Sequence, residues 1–208
     1  DTLPLGTATP IVVGGNTIGT LTLTTTGALT FVPASNFHGA APPMTYTLSD
    51  GNNQTDTAVV MITVNDVNDP PVATPSTSSG NEDTPIAVDL TGTDVDGTIA
   101  SVTVTTLPPA AQGILYMPDG TTPVVAGTPI PAAQAANLVF APALNFNGTV
   151  TIPFTVTDDD GAISVPANEV ITVNDVNDPP VATPSTSSGD EDTNIPVDLT
   201  GTDVDGTI

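Results

Sequence analysis

VVMITVNDVNDPP, residues 59–71, runs an alternating apolar stretch into a knot of acids, amides and prolines. Val60, Ile62 and Val64 fall two apart, the spacing at which a strand turns its side chains to one face. Asn65 to Pro71 reads NDVNDPP, and the same seven letters return at Asn174 to Pro180. The closing prolines lack N–H groups and have a fixed φ, so they end the strand and stiffen its exit. A strand that stops twice on the same acidic linker marks the joint of a tandem β array.

The copying extends well beyond the linker. NDVNDPPVATPSTSSG occupies 65–80 and recurs at 174–189, an offset of 109. EDTPIAVDLTGTDVDGTI (82–99) returns as EDTNIPVDLTGTDVDGTI (191–208), and LTFVPASNFHG (29–39) resembles LVFAPALNFNG (138–148), at the same offset. A period this long implies duplicated domains that each own a core, not solenoid units of about 20–50 residues. Three segments are expected: 1–69, a repeat without its first strands; 70–178, a complete repeat; and 179–208, the start of a third. What the front lacks is roughly what the tail contains. The plainer expectation is a window cut from a longer array. The other is that the tail of one chain completes the front of the next by strand addition.

The local signal is β throughout. TVTIPFTVT (149–157) sets Val150, Ile152, Phe154 and Val156 on one face, and SVTVTT (101–106) turns Val102 and Val104 inward. GTLTL (19–23), ALTFV (28–32), IAVDL (86–90) and EVITV (169–173) are further strands, rich in residues that suit a pleated surface. PAAQAANL (131–138) has room for one helical turn. Pro153 inside a strand predicts an edge or a bulge. About seven short strands per repeat, punctuated by Asp-Gly, Asn-Gly and Pro, give an all-β fold of tandem Greek-key β-sandwiches, 109 residues to the repeat.

Composition narrows the partners. The 208 residues hold 23 acids and no Lys or Arg, a formal charge of −23. Such a surface repels phosphate backbones and anionic bilayers, which excludes nucleic acid. No apolar run approaches the roughly 18 residues of a membrane span. There is no cysteine, so neither disulfides nor thiolate metal sites can form. Patterned Val, Ile, Leu and Thr argue against the disorder that acidity alone would suggest. Catalysis is not expected: there is one His, no Cys, and no nucleophile paired to a base.

The acids are not spread evenly. Seven lie between 65 and 97, one (Asp119) between 98 and 157, and twelve between 158 and 205. Like charges 4 Å apart repel by about 1 kcal/mol even in water, and no basic residue is present to compensate. A divalent cation is the natural remedy. Ca²⁺ takes six to eight hard oxygens in flexible geometry, which Asp, Glu, Asn and main-chain carbonyls supply. Zinc or copper would want more than the lone His38. Against this, Asp, Asn, Gly and Pro also cluster in ordinary turns, and TDVDG by itself is weak evidence.

Together these motifs resemble the cadherin repeat. VVMITVNDVNDPP resembles its last strand and linker, IAVDLTGTDVDG (86–97) its second strand and Asp-x-Asp loop, and YTLSDG (46–51) and FTVTDDDG (154–161) its later strand ending in an acid. The finer resemblance is to bacterial cadherin-like repeats of large secreted adhesins, through GTLTL, GALTFVPASNFHG and YTLSDG. The resemblance implies Ca²⁺ junctions that draw on the base of one domain, the linker, and the top of the next. For the first junction it implies Asp66, Asn68 and Asp69, then Asp94 and Asp96, with an acid from Asp158 or Asp160. For the second it implies Glu82, Asp175, Asn177 and Asp178, with Asp203 and Asp205. Asp50, Glu191 and Asp192 would serve neighbouring junctions. One departure is that LVFAPALNFNG carries no mid-domain acid, which implies one or two ions per junction rather than three. The chain has no Trp, so adhesion by Trp-strand exchange is not implied.

The expected function is therefore a Ca²⁺-rigidified extender repeat of a long, secreted, cell-surface adhesin, contacting its neighbouring repeats. One alternative is a filament or sheath subunit joined to other copies head to tail. Another is a polysaccharide-binding module, with the insertion 113–137 and its Tyr116 as the place for a private site; Tyr46, aligned with Phe154, is expected in the core. Asn53-Gln54-Thr55 and Asn147-Gly148-Thr149 fit the glycan acceptor pattern, though Asn-Gly is also a plain turn signal.

Overall fold

The computed structural model describes residues 3–50, 52 and 54–208. The chain divides into two compact units, Asp1–Asp69 and Pro70–Ile208.

The second unit holds the fuller sandwich. Its strands are β8 (Val72–Thr74), β9 (Ser76–Asn81), β10 (Ile86–Val88), β11 (Thr91–Thr93), β12 (Ile99–Val104), β13 (Gly113–Tyr116), β14 (Pro129–Pro131), β15 (Leu138–Pro142), β16 (Gly148–Asp158) and β17 (Ala167–Asn174), with one helical turn α1 (Ala132–Ala135). Five strands form one sheet in the order β14-β12-β16-β17-β9, and three form another, β10-β15-β13. The alternation read from TVTIPFTVT is real: Val150, Ile152, Phe154 and Val156 are all buried on β16. They meet Val88, Leu115, Leu138 and Phe140 of the smaller sheet in one apolar core. Every β16–β17 and β12–β16 pair is antiparallel, whereas β9 joins β17 in parallel, Ser76 opposite Glu169 and Asn81 opposite Asn174.

Pro153 departs from expectation, because β16 lies in the middle of its sheet and not at an edge. The β12 ladder ends at Val104 opposite Phe154, one residue short of Pro153. The Pro153 carbonyl accepts from the Thr105 amide at 2.9 Å, so that residue's polar groups face the β12 side. The missing N–H therefore falls where the ladder has already ended.

The first unit comprises β1 (Thr9–Val13), β2 (Asn16–Leu23), β3 (Leu29–Pro33), β4 (Gly39–Ala40), β5 (Met44–Ser49), β6 (Thr55–Val60) and β7 (Thr63–Val64). Its pairings among β2 to β7 repeat those among β13, β15, β16 and β17. Gly39 faces Val64 as Gly148 faces Val173, and Leu21 faces Phe31 as Leu115 faces Phe140. Gly19 and Gly113, both at positive φ, each lie beneath that phenylalanine ring. A Cβ on Gly113 would stand 2.6 Å from Phe140 Cζ, so only glycine fits. The core is thin: Ile18, Leu21 and Ala41 are its buried apolar residues among those described. Tyr46, expected in the core, is 45% exposed because no strand covers it.

Beyond the sandwich, β18 (Val181–Thr183) pairs with β19 (Thr200–Thr202) in the register that joins β8 to β11.

A candidate cation-binding junction

The linker after β17 is held from both sides. On one side, Glu82 follows β9, and its amide donates to the Asn174 carbonyl at 2.9 Å. Its carboxylate is buried, and Oε1 accepts the Val176 amide at 2.6 Å. On the other, the Asp178 amide donates to Asp205 Oδ2 at 2.7 Å. That contact holds the Asp205 carboxyl below the usual carboxylate range. Asp203 Oδ1 accepts from the Gly206 amide at 3.1 Å, closing the TDVDG turn, and a Cβ on Gly206 would meet the Asp203 carboxylate at 2.9 Å. The structure thus brings the Glu82 and Asp205 carboxylates to one stretch of linker, with Asp203 closing the turn that carries Asp205.

Asp175 is turned toward the base of its own domain, where Asn147 Nδ2 donates to Oδ1 at 2.9 Å. The first unit makes the same approach, with His38 Nδ1 3.9 Å from Asp66 Oδ2. The substitution of His for Asn between the copies therefore keeps a side chain aimed at the linker acid. Asn177 donates to the Asp178 carbonyl at 3.0 Å, fixing the turn from inside. Asp66, Asn68 and Asp69 end the first unit, while Asp94, Asp96, Asp158 and Asp160 belong to the second.

In the second unit's first TDVDG loop, Asp94 Oδ1 accepts the amides of Asp96 and Gly97, each at 3.3 Å. Asp94 Oδ2 is buried and has no hydrogen bond. Of the three adjacent acids, Asp158 occupies the place of Asp50. Each accepts the amide four residues on, Ala162 at 2.7 Å and Gln54 at 3.1 Å. Asp160 is exposed. Asp159, which sequence reasoning passed over, lies against the TDVDG loop. Its Oδ1 accepts the Thr98 amide at 2.7 Å, which holds its carboxyl below the usual range, and a Cβ on Gly97 would stand 2.7 Å from that oxygen. Only the paired bonds of Asp159 and Thr98 across the loop identify it, and no spacing rule carries that.

Glu169 was also missed. It sits on the core face of β17, fully buried, with Oε2 bonded to the Ser76 hydroxyl and Oε1 without a hydrogen bond. Its sequence signal was a single acid on the inward side of EVITV, where the first copy carries Val60.

As a cation site the donor set is all oxygen, with an orphaned buried oxygen on Asp94 and no basic residue in the chain. That chemistry fits a hard divalent ion. Among the described residues, no three acidic or histidine side chains converge into a ready cage; the linker amides take up the carboxylates instead. The insertion forms a separate open cleft of about 830 Å³ lined by Met117, Asp119, Thr122 and Gln134. Asp119 is already committed there, accepting from the Thr121 and Thr122 amides and the Thr122 hydroxyl, chiefly the last, which lower its pKa to about 2. The first acceptor sequon begins at Asn53, outside the described residues.

With a sandwich of two sheets and a repeated acidic linker in place, sequence comparison gives the family. The bacterial Ig domain family matches residues 1–63 and 68–173. The chain belongs to that family. Comparison with curated proteins finds no match. Among solved structures, the chain is similar to the fibronectin(III)-like modules of Clostridium thermocellum CbhA, at 20% identity and a TM-score of 0.27, covering 83% of this chain and 80% of that one. It is also similar to the Drosophila N-cadherin fragment EC1-3, at 16% identity and a TM-score of 0.34, covering 88% of this chain and 61% of that one. Phe140 and Phe154 lie in the one apolar core of the second unit. Among the described residues no helix is long and apolar enough to cross a membrane.

Proposed function

We propose that the chain is a set of extender repeats from a long extracellular bacterial adhesin, stiffened at each joint by Ca²⁺. The observation that carries this reading is the linker Asp175–Asp178. It is gripped by Glu82 of the domain before it and by Asp205 of the segment after it. Glu82, Asp175, Asn177, Asp178, Asp203 and Asp205 would hold the ion. The identity of the two linkers extends the assignment to Asp66, Asn68 and Asp69, and that of the TDVDG loops to Asp94 and Asp96, with Asp158 or Asp160 beside them and Asp50 at the matching place in the first copy. Ca²⁺ supplies the positive charge that a chain without Lys or Arg cannot. The chain's own residues do the rest: two prolines restrict the exit, and two carboxylates fix linker amides before any ion arrives.

The division at 69/70 and the copied β18–β19 pairing favour the three-segment reading, with 179–208 opening a third repeat. Bacterial Ig domains are as a rule structural, and the acids here sit in repeated linkers and not in one singular cleft.

The reading is tested by equilibrium Ca²⁺ binding and small-angle scattering on the whole chain, with and without chelator. Saturable binding with a longer, stiffer particle in Ca²⁺ is expected. An unchanged particle, or binding unaffected by Asp175→Asn with Asp178→Asn, would show that the joints are not calcium clamps.

A further inference from the structure

The two units differ inside one hairpin. The first joins β2 to β3 by a tight turn, in which the Thr24 amide donates to the Ala28 carbonyl at 2.8 Å and the Ala28 amide to the Thr24 hydroxyl at 3.0 Å. The second joins the matching β13 and β15 through residues 117–137. Long ordered insertions on a rigid scaffold are where binding residues tend to sit. Part of this one serves the core, since Val124, Ile130 and Ala135 are buried. The remainder builds the open cleft of about 830 Å³, within the range of small-ligand sites.

The cleft's walls are set by the chain itself. The Met117 amide donates to the Thr122 carbonyl at 2.8 Å and the Gly120 amide to the Met117 carbonyl at 2.9 Å, which closes the turn on that side. Asp119, the lone acid between Thr98 and Thr157, accepts two amides on Oδ1 and the Thr122 hydroxyl on Oδ2. A carboxylate has about four lone-pair sites, so Oδ2 keeps one acceptor position at a fixed place. Those bonds hold its pKa near 2, and the group is ionised at any ordinary pH. Across the cleft, Asn137 Nδ2 donates to the Ala133 carbonyl at 3.1 Å, which leaves its side-chain oxygen to accept. Gln134 is exposed, and its amide both donates and accepts. Met117, half-buried against the core, and Pro118 supply apolar surface. Tyr116 is not in the lining.

These groups select a ligand. A fixed carboxylate in a chain without Lys or Arg repels anions. Acceptors on Asp119 and Asn137 beside the mixed amide of Gln134 call for groups that donate and accept from one atom, which hydroxyls do. We propose that the cleft binds a neutral saccharide, whose hydroxyls donate to Asp119 Oδ2 and Asn137 Oδ1 and accept from Gln134, with its C–H surface against Met117 and Pro118. The first unit, with its short turn, has no such site, so recognition belongs to one repeat while the joints are shared. An open cleft without a stacking ring gives affinity in the millimolar range.

The test is amide NMR of the whole chain in chelator, titrated to tens of millimolar with glucose, mannose, galactose, N-acetylglucosamine and maltose. At least one should shift the amides of Asp119, Thr122, Gln134 and Asn137 saturably and leave those of Thr24 to Ala28 in place. Glucuronate should bind more weakly than glucose. Gln134→Ala, an exposed change that should leave the melting temperature unaltered, should weaken binding about fivefold. Asp119→Asn, which keeps an oxygen in the turn but loses its charge, should weaken it at least as much. No saturable shift with any of the five sugars, equal shifts at the Thr24–Ala28 turn, or unchanged affinity in Gln134→Ala overturns the proposal. So does saturation of the same amides by spermidine without a response to sugar, which would make the cleft a cation site. Because no junction acid lines the cleft and the assay runs in chelator, its outcome is separate from that of the calcium reading.

Discussion

Replacing Glu82 with Gln separates two jobs assigned to one side chain. The carboxylate is buried and accepts the Val176 amide at 2.6 Å. Gln keeps a side-chain oxygen there, so the bond survives without its charge. A hydrogen bond to a charged group contributes about 1.5–3 kcal/mol and a neutral one about 0.5–1.5, so the ion-free protein should lose about 1 kcal/mol. For a domain of this size that is a fall in Tm of roughly 4–8 °C. The cation effect is distinct. At a free Ca²⁺ concentration 100 times Kd, binding stabilises the native state by about 2.7 kcal/mol; if the lost carboxylate weakens Kd tenfold, the same concentration contributes about 1.4. Calorimetric scans of both proteins, in chelator and in Ca²⁺, should show a modest fall without the ion and a Ca²⁺ increment cut to about half. An increment equal to that of the wild type would remove Glu82 from the ligand set. An unchanged Tm in chelator would refute the linker contact itself.

Four further outcomes follow from particular contacts. Asp119, whose pKa is lowered to about 2 by the Thr122 hydroxyl and the turn amides, is depressed in the folded state. Its contribution to stability is present above the unfolded value near 4 and is lost as pH falls toward 2; Asp119→Asn should flatten the acid limb of stability over that window, and carboxyl NMR should titrate the group at its low end. Asp159→Ala should release the Thr98 amide and speed its hydrogen exchange, whereas Asp160→Ala should leave that amide as protected as before. Ser76→Ala should cost about 1–3 kcal/mol in chemical denaturation by stranding the buried Glu169 carboxylate, while Ser76→Ala with Glu169→Leu should be near neutral or stabilising. Gly113→Ala should destabilise by roughly 1–3 kcal/mol in the same assay, because its Cβ meets the Phe140 ring at a positive φ.

The fold was legible because its signals are local and repeated. Val150 to Val156 alternate without a break, and the strand that holds them runs from Gly148 to Asp158. EVITV lies within one strand, but VVMITV is broken between Val60 and Thr63, opposite the interruption between β4 and β5 that holds Pro42 and Pro43. Position in the sheet was not legible: Pro153 predicted an edge or a bulge, whereas β16 is an interior strand and the β12 ladder stops one residue short of it. At the linker, the motifs named Glu82 and Asp205, whose carboxylates accept the amides of Val176 and Asp178. They did not separate Asp158, Asp159 and Asp160, which a turn points in different directions. Nor did they find Glu169, since one acid in an apolar strand looks like noise until its partner on another strand is known.

Charge gives the joints and the bodies opposite physics. The stretch from Thr98 to Thr157 carries one acid, Asp119, and the core it contributes to is mainly apolar, with Asp158, Ser164 and Glu169 among the few buried polar residues, so the body of the second unit should respond little to salt. The linkers concentrate carboxylates in a chain without Lys or Arg. Their amides already bind Glu82 and Asp205 without an ion, so the linker path is set by the chain, and a cation would add stiffness to a path already chosen. On the calcium reading proposed above, such a joint should weaken by degrees as the ion is withdrawn, while the sandwiches stay folded. Chelation should therefore loosen the joints while leaving the core around Phe140 and Phe154 folded.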